Sequence, residues 1–110
     1  MIILNALAPI KPEARVRWLA LVDALTPPSR AEEACQSYTL YEAIETPNTF
    51  IFVEKWTSLD GLYAHFRTPH FAKFFAALGE VLAGPPAGFV SGVSSTQTLD
   101  EALAAAGITG

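Results

Sequence analysis

Cysteine, charge and long apolar runs are all scarce in this chain, and each scarcity removes a class of function. One cysteine in 110 residues cannot close an internal disulfide, which suits a reducing compartment and points to the cytoplasm. Seven Lys and Arg against eleven Asp and Glu leave a net charge of −4. The basic residues are not clustered, so there is no patch to meet phosphates and no nucleic-acid partner is expected. No apolar run approaches membrane-spanning length, and no basic stretch leads into an apolar run at the start, so no membrane association is expected. No metal-ligand cluster, Gly-rich phosphate loop or Ser/His/Asp set is visible, and no metal is expected. Only 16% of the residues are charged while 51% are hydrophobic. A monomer of this size needs more polar surface, which implies apolar surface buried against another chain.

What the chain does have is concentrated between residues 50 and 75, FIFVEKWTSLDGLYAHFRTPHFAKFF. That stretch holds both histidines, one of two tryptophans and six of seven phenylalanines. Phe50 to Trp56 is bulky and β-favouring. Ser58 is placed to cap a short helix in which Leu62, His65 and Phe66 share a face. Thr68 is placed to cap a second helix, with Pro69 at its first position. Phe71, Phe74, Phe75, Leu78, Val81 and Leu82 then form a helical stripe ended by Gly84-Pro85-Pro86.

Upstream, Ile2 to Ala8 reads as a strand that is apolar on both faces and interrupted by Asn5. Lys11-Pro12 opens a helix with a face of Trp18, Leu21, Val22 and Leu25, which Pro27-Pro28 should end, Ser29 and Glu32 then capping one extra turn. Cys35 to Ile44 is a second strand, joined through the turn residues Glu45 to Asn48 to the strand from Phe50, in a register that composition leaves open. Phe89 to Thr96 is expected to be a fourth strand. The order predicts an α+β, ferredoxin-like β-α-β-β-α-β domain over 1–96, with 97–110 a C-terminal extension forming a short helix from the capping-box pair Thr98 and Glu101. Helices cover one face of such a sheet, and two such sheets packing together would cover the other.

The motifs Lys11-Pro12-Glu13, Glu32-Glu33-Ala34-Cys35-Gln36-Ser37-Tyr38, Glu54-Lys55-Trp56, Ala64-His65 and Thr68-Pro69-His70-Phe71 resemble the antibiotic biosynthesis monooxygenase domain family. Ala34 stands where that pattern has glycine, and residues 97–110 lie beyond the common core. The resemblance implies a homodimeric barrel acting without metal, flavin or other cofactor. In it an electron-rich quinol or polycyclic phenol is deprotonated in an apolar pocket and reacts directly with O₂. The alternatives are a haem-binding, haem-degrading relative and a non-catalytic binding protein. Against haem degradation, the resemblance places the haem enzymes' tryptophan at His65 and their iron-binding histidine at Phe75, which has no lone pair to give.

His65 is the candidate base, because its unperturbed pKa lies near neutrality. Asn5, an amide in an apolar strand, is the candidate group for orienting a substrate oxygen; bridging neighbouring backbone is an equal reading. Trp56, Phe71, Phe75, Leu62, Phe52 and Tyr41 are the expected substrate-binding wall, although Trp56 also fits a simple core role. His70 is assigned to capping and packing, Glu54 to pairing with a basic residue, and Cys35 to the core as an unactivated thiol.

Overall fold

The computed structural model describes residues 1–108. In chain order it contains β1 (Ile2–Pro9), a 3₁₀ turn (Pro12–Ala14), α1 (Arg15–Arg30), β2 (Cys35–Glu42), β3 (Thr49–Trp56), α2 (Leu59–Phe66), α3 (Pro69–Val81), β4 (Ala87–Gly92) and α4 (Leu99–Ala105). The strands make one antiparallel sheet in the order β2-β3-β1-β4. This is the ferredoxin-like α+β arrangement, with its second helix split and a short helix added.

Side-chain alternation divides the sheet into two unlike faces. Leu4, Ala8, Tyr38, Phe50, Phe52, Glu54 and Trp56 are buried and share a face, where they pack with Trp18, Val22 and Leu25 of α1, Leu62 of α2, and Phe74 and Val81 of α3. Ile3, Asn5, Leu7, Thr39, Tyr41, Ile51, Val53 and Lys55 occupy the other face, and none of them is fully buried.

The hairpin register is settled by its turn. Asn48 has φ 64°, a left-handed conformation that asparagine tolerates better than most residues. Its backbone N–H donates to the Glu42 carboxylate at 2.9 Å, and that carboxylate also accepts from the Arg15 guanidinium at 2.7 Å. With the turn pinned, Tyr38 faces Glu54 and Leu40 faces Phe52, and a bulge falls between Cys35 and Ser37.

Pro27 and Pro28 do not end α1, which continues to Arg30. A proline removes its own N–H, here leaving the carbonyls of Asp23 and Ala24 without helical donors. Both residues are exposed, so water can serve those carbonyls. Ser29 is not a cap either; it is fully buried and donates to the Leu25 carbonyl at 2.7 Å. Further along, β2 stops at Glu42 and β4 at Gly92, both short of the expected ends.

Ala34, where the family pattern has glycine, is accommodated by Gly61 across the β3–α2 junction. A Cβ on Gly61 would collide with that of Ala34. Gly88 has a similar duty in β4, because a side chain there would strike the Asn5 carbonyl.

Candidate active site

An apolar cavity of about 370 Å³ lies between the sheet, α1, α3 and β4. Its floor is Leu4, Ala6, Ala8, Tyr38 and Phe52, and Trp18 enters from α1. Phe66, Phe71, Phe74, Phe75 and Leu78 form the helical wall, and Pro86 to Val90 close the side along β4. Burial pushes the Tyr38 hydroxyl pKa up, with the carboxylate of Glu54 adding to the effect, so Tyr38 stays a neutral phenol.

Directly behind this wall stands His65. The capped helix α2 places it: Ser58 Oγ accepts from the Gly61 N–H at 3.0 Å, and Leu62 and His65 form the buried face. Thr68 then ties the end of α2 to the start of α3. Its hydroxyl donates to the His65 carbonyl at 2.7 Å and accepts from the Phe71 N–H at 3.2 Å. The His65 ring lies 4.7 Å from Trp56, 5.2 Å from Phe71, 5.5 Å from Tyr38 and 5.8 Å from Phe66, measured between centroids. Three of those four neighbours line the cavity.

His65 Nδ1 is 2.6 Å from Glu32 Oε2, and the same oxygen is 2.8 Å from His70 Nε2. As a carboxylate Glu32 only accepts, so the two contacts place protons on His65 Nδ1 and His70 Nε2. His65 Nε2 is then left as a buried lone pair with no partner among the described residues. Burial lowers the His65 pKa, opposed by the hydrogen bond to Glu32 and by its charge. The ring is therefore held neutral and oriented, as a general base must be.

Glu54 is the second buried acid of this region. It accepts from Trp56 Nε1 at 3.1 Å, and burial raises its pKa to about 7, the indole hydrogen bond opposing the shift. Among the described residues it has no basic partner: its pairing with a basic residue, expected from sequence, is replaced by the indole. The Cys35 thiol pKa is raised, chiefly by burial, in keeping with an unactivated thiol.

The structure separates the residues marked out by sequence. Phe52, Phe71 and Phe75 line the cavity; Phe75 is 64% exposed at its mouth. Leu62, Trp56 and His65 are fully buried and do not line it. Asn5 is exposed on the helix-free face, paired across the sheet with Val53 and Phe89, and Tyr41 lies on that face too, 55% exposed. Neither reaches the cavity of its own chain, because strand alternation turns both to the opposite side. Glu32 and His70 are the residues that sequence reasoning passed over. Their signal was present in the Glu32-to-Tyr38 and Thr68-to-Phe71 motifs, but three separate elements must fold before they meet. Together with His65 they bring three possible ligand atoms within 4.8 Å of one another, so this cluster is where a cation could be held.

A ferredoxin-like α+β domain with an aromatic-walled cavity backed by a clamped histidine defines the class. The comparisons with known proteins place the chain within it. Residues 1–77 match the model of the antibiotic biosynthesis monooxygenase family, and the chain belongs to that family. It is 39% identical over 85 residues to "Putative monooxygenase YcnE" of Bacillus subtilis, covering 77% of this chain and 90% of that protein. The structure of Rv0793 from Mycobacterium tuberculosis superposes with a TM-score of 0.82 at 32% identity, over 88% of this chain and 98% of that one. The protein sll1783 of Synechocystis is 36% identical over 90 residues, and the match spans 82% of this chain but only 61% of that protein.

Proposed function

We propose that this protein is a cofactor-independent monooxygenase that oxidises a small quinol or polycyclic phenol with O₂, working as a homodimer. One observation carries the reading: an aromatic-walled cavity of about 370 Å³ with a neutral, oriented histidine immediately behind its wall. Membership of a monooxygenase family supports the reaction class. A flat aromatic substrate and O₂ both partition into such a cavity. His65 takes the hydroxyl proton, Glu32 stabilises the resulting imidazolium, and the electron-rich anion reacts with O₂. One oxygen atom enters the ring and the other leaves as water, the substrate supplying the electrons. His65 is fully buried, so a neighbouring side chain must turn aside for substrate to reach Nε2, and Phe66, 37% exposed, is the most open of its aromatic neighbours. Among the described residues no helix is long and apolar enough to cross a membrane, and a cytoplasmic enzyme is the setting that the single cysteine favours.

The test is O₂ uptake by the purified protein with a panel of naphthoquinols and anthrone-like phenols, with and without added metal and flavin. Consumption of one O₂ per substrate, independent of either addition, is expected. No uptake above the autoxidation blank for any member would leave a binding protein in place of an enzyme.

A further inference from the structure

We propose that the indole N–H of Trp18 is the polar anchor of the cavity, holding a carbonyl or phenolate oxygen of a ligand that is otherwise flat and apolar. This rests on the reading of the cavity as a quinol or phenol site and names which oxygen chemistry it selects.

Trp18 is fully buried and its ring forms part of the cavity wall, yet its Nε1 has no hydrogen-bond partner among the described residues. An indole nitrogen is a donor only, and a donor buried without an acceptor is rare because the water bonds it gives up are not replaced. Its aromatic neighbours are Phe50, Phe52 and Phe74, with centroids 5.6, 5.9 and 5.7 Å away, and none carries an acceptor atom. The chain does provide for its other buried indole, since Trp56 Nε1 donates to Glu54 at 3.1 Å. Trp18 lines the cavity and is left to find its partner there, and because the indole is fully buried, a ligand oxygen reaches Nε1 when a neighbouring ring such as Phe74 turns aside. Water is a poor occupant there, because it needs two to four polar partners. Of the side chains on the wall, only those of Trp18 and Tyr38 carry a polar atom. A planar ligand with one acceptor oxygen satisfies both the apolar area and the donor.

The same contact discriminates along the reaction. A phenol oxygen accepts weakly, whereas the phenolate formed on proton loss, and the quinone carbonyl that follows, accept strongly. A fixed donor at that oxygen therefore binds the developing anion better than the starting hydroxyl.

The experiment uses 1,4-naphthoquinone and naphthalene as probes, equal in ring size and different in acceptor oxygens. With two tryptophans in the chain, each indole N–H signal of ¹⁵N-labelled protein is assignable. Naphthoquinone is expected to move the Trp18 signal downfield in the unmodified protein, and naphthalene is not. Trp18→Phe should weaken naphthoquinone binding roughly three- to ten-fold, the loss of one neutral hydrogen bond, and change naphthalene binding by less than about twofold. If naphthalene binds but naphthoquinone neither binds more tightly nor shifts the indole signal, the anchor is wrong and the cavity reading stands. If neither probe binds, both fail. Equal losses for both probes in Trp18→Phe would show a packing role and overturn the proposal; the indole shift needs no substitution and decides the matter if that variant does not fold.

Discussion

Burial acts on Glu54 and His65 in opposite directions, and the pair makes stability depend on pH in a way that can be separated. Glu54 has its pKa raised from 4.5 to about 7 in the folded state. The unfolded chain therefore releases this proton first, and the stabilisation present below pH 4.5 is lost as pH rises toward 7. His65 has its pKa lowered from 6.5, so the unfolded chain takes that proton first and stability is lost as pH falls below 6.5. The two oppose one another in the window between. Glu54→Gln keeps an acceptor for Trp56 Nε1 and removes one of them. Relative to the parent, the variant should gain about 2 kcal/mol between pH 5 and pH 8, from the linkage of a shift of this size. Urea denaturation at both pH values checks this, and equal pH dependence of the two proteins would show that Glu54 is not desolvated.

The catalytic reading makes a separate claim on the same cluster. His65→Ala should lower turnover about 10²–10⁴-fold while leaving a folded protein. Glu32→Gln removes the charge that raises the His65 pKa, so the acid limb of the pH–rate profile should move to lower pH and the weaker base should turn over more slowly. A folded His65→Ala variant with parental activity removes the residue from the mechanism. His65 was legible in sequence because a histidine shared a helical face with Leu62 and Phe66. Its clamp was not, because Glu32 lies 33 residues away on a loop. Asn5 shows the reverse: its side chain looked costly to bury, and the strand turns it outward instead.

At the level of elements, the boundaries that were legible are those with a side-chain cap. Ser58, Thr68 and Thr98 each accept from the backbone N–H three residues on, as their spacing predicts. The end of α1 was not legible, because whether two prolines stop a helix depends on whether the freed carbonyls face water, and those of Asp23 and Ala24 belong to exposed residues. The hairpin register depended on a tertiary contact, Arg15 to Glu42, that no local pattern contains. α4 forms as the capping residues require but has no buried residue, and Leu99 and Leu103 are 73% and 38% exposed. A capped segment with Leu99 and Leu103 that buries none of its described residues suits closure of a barrel end or of a neighbour's cavity. Removing residues 97–110 should therefore weaken quinone binding or dimer association, measured by titration and by sedimentation. No change in either identifies the segment as a solvated tail.

On the scale of the whole molecule, the single chain exposes more than a monomer of its mass should. Its accessible surface is 7066 Å², against roughly 5,900 Å² expected for a folded monomer of 11.8 kDa. Its radius of gyration is 16.0 Å, where a compact domain of this length has about 13 Å. Part of this open surface is the C-terminal segment, where α4 buries none of its residues, and part is β4, where every residue is exposed and Phe89 and Val90 are 78% and 49% open to solvent. The helix-free face adds to it, where Ile3, Leu7, Ile51, Val53 and Tyr41 form an apolar sheet surface. Phe89 pairs with Asn5 and shares that face, whereas Val90 pairs with Leu4 and faces the helices; a second copy packed there would cover the face with Phe89 and complete a barrel of two sheets. We therefore expect an obligate homodimer burying on the order of 2,000 Å² or more in total. Leu7→Lys places a charge between Ile51 and Ala87 on that surface, so it should dissociate the dimer and lower the melting temperature with it. Sedimentation equilibrium at micromolar concentration decides between the states. A stable, folded monomer of the unmodified chain under those conditions would show that this face is solvated, and that its apolar residues have some other purpose.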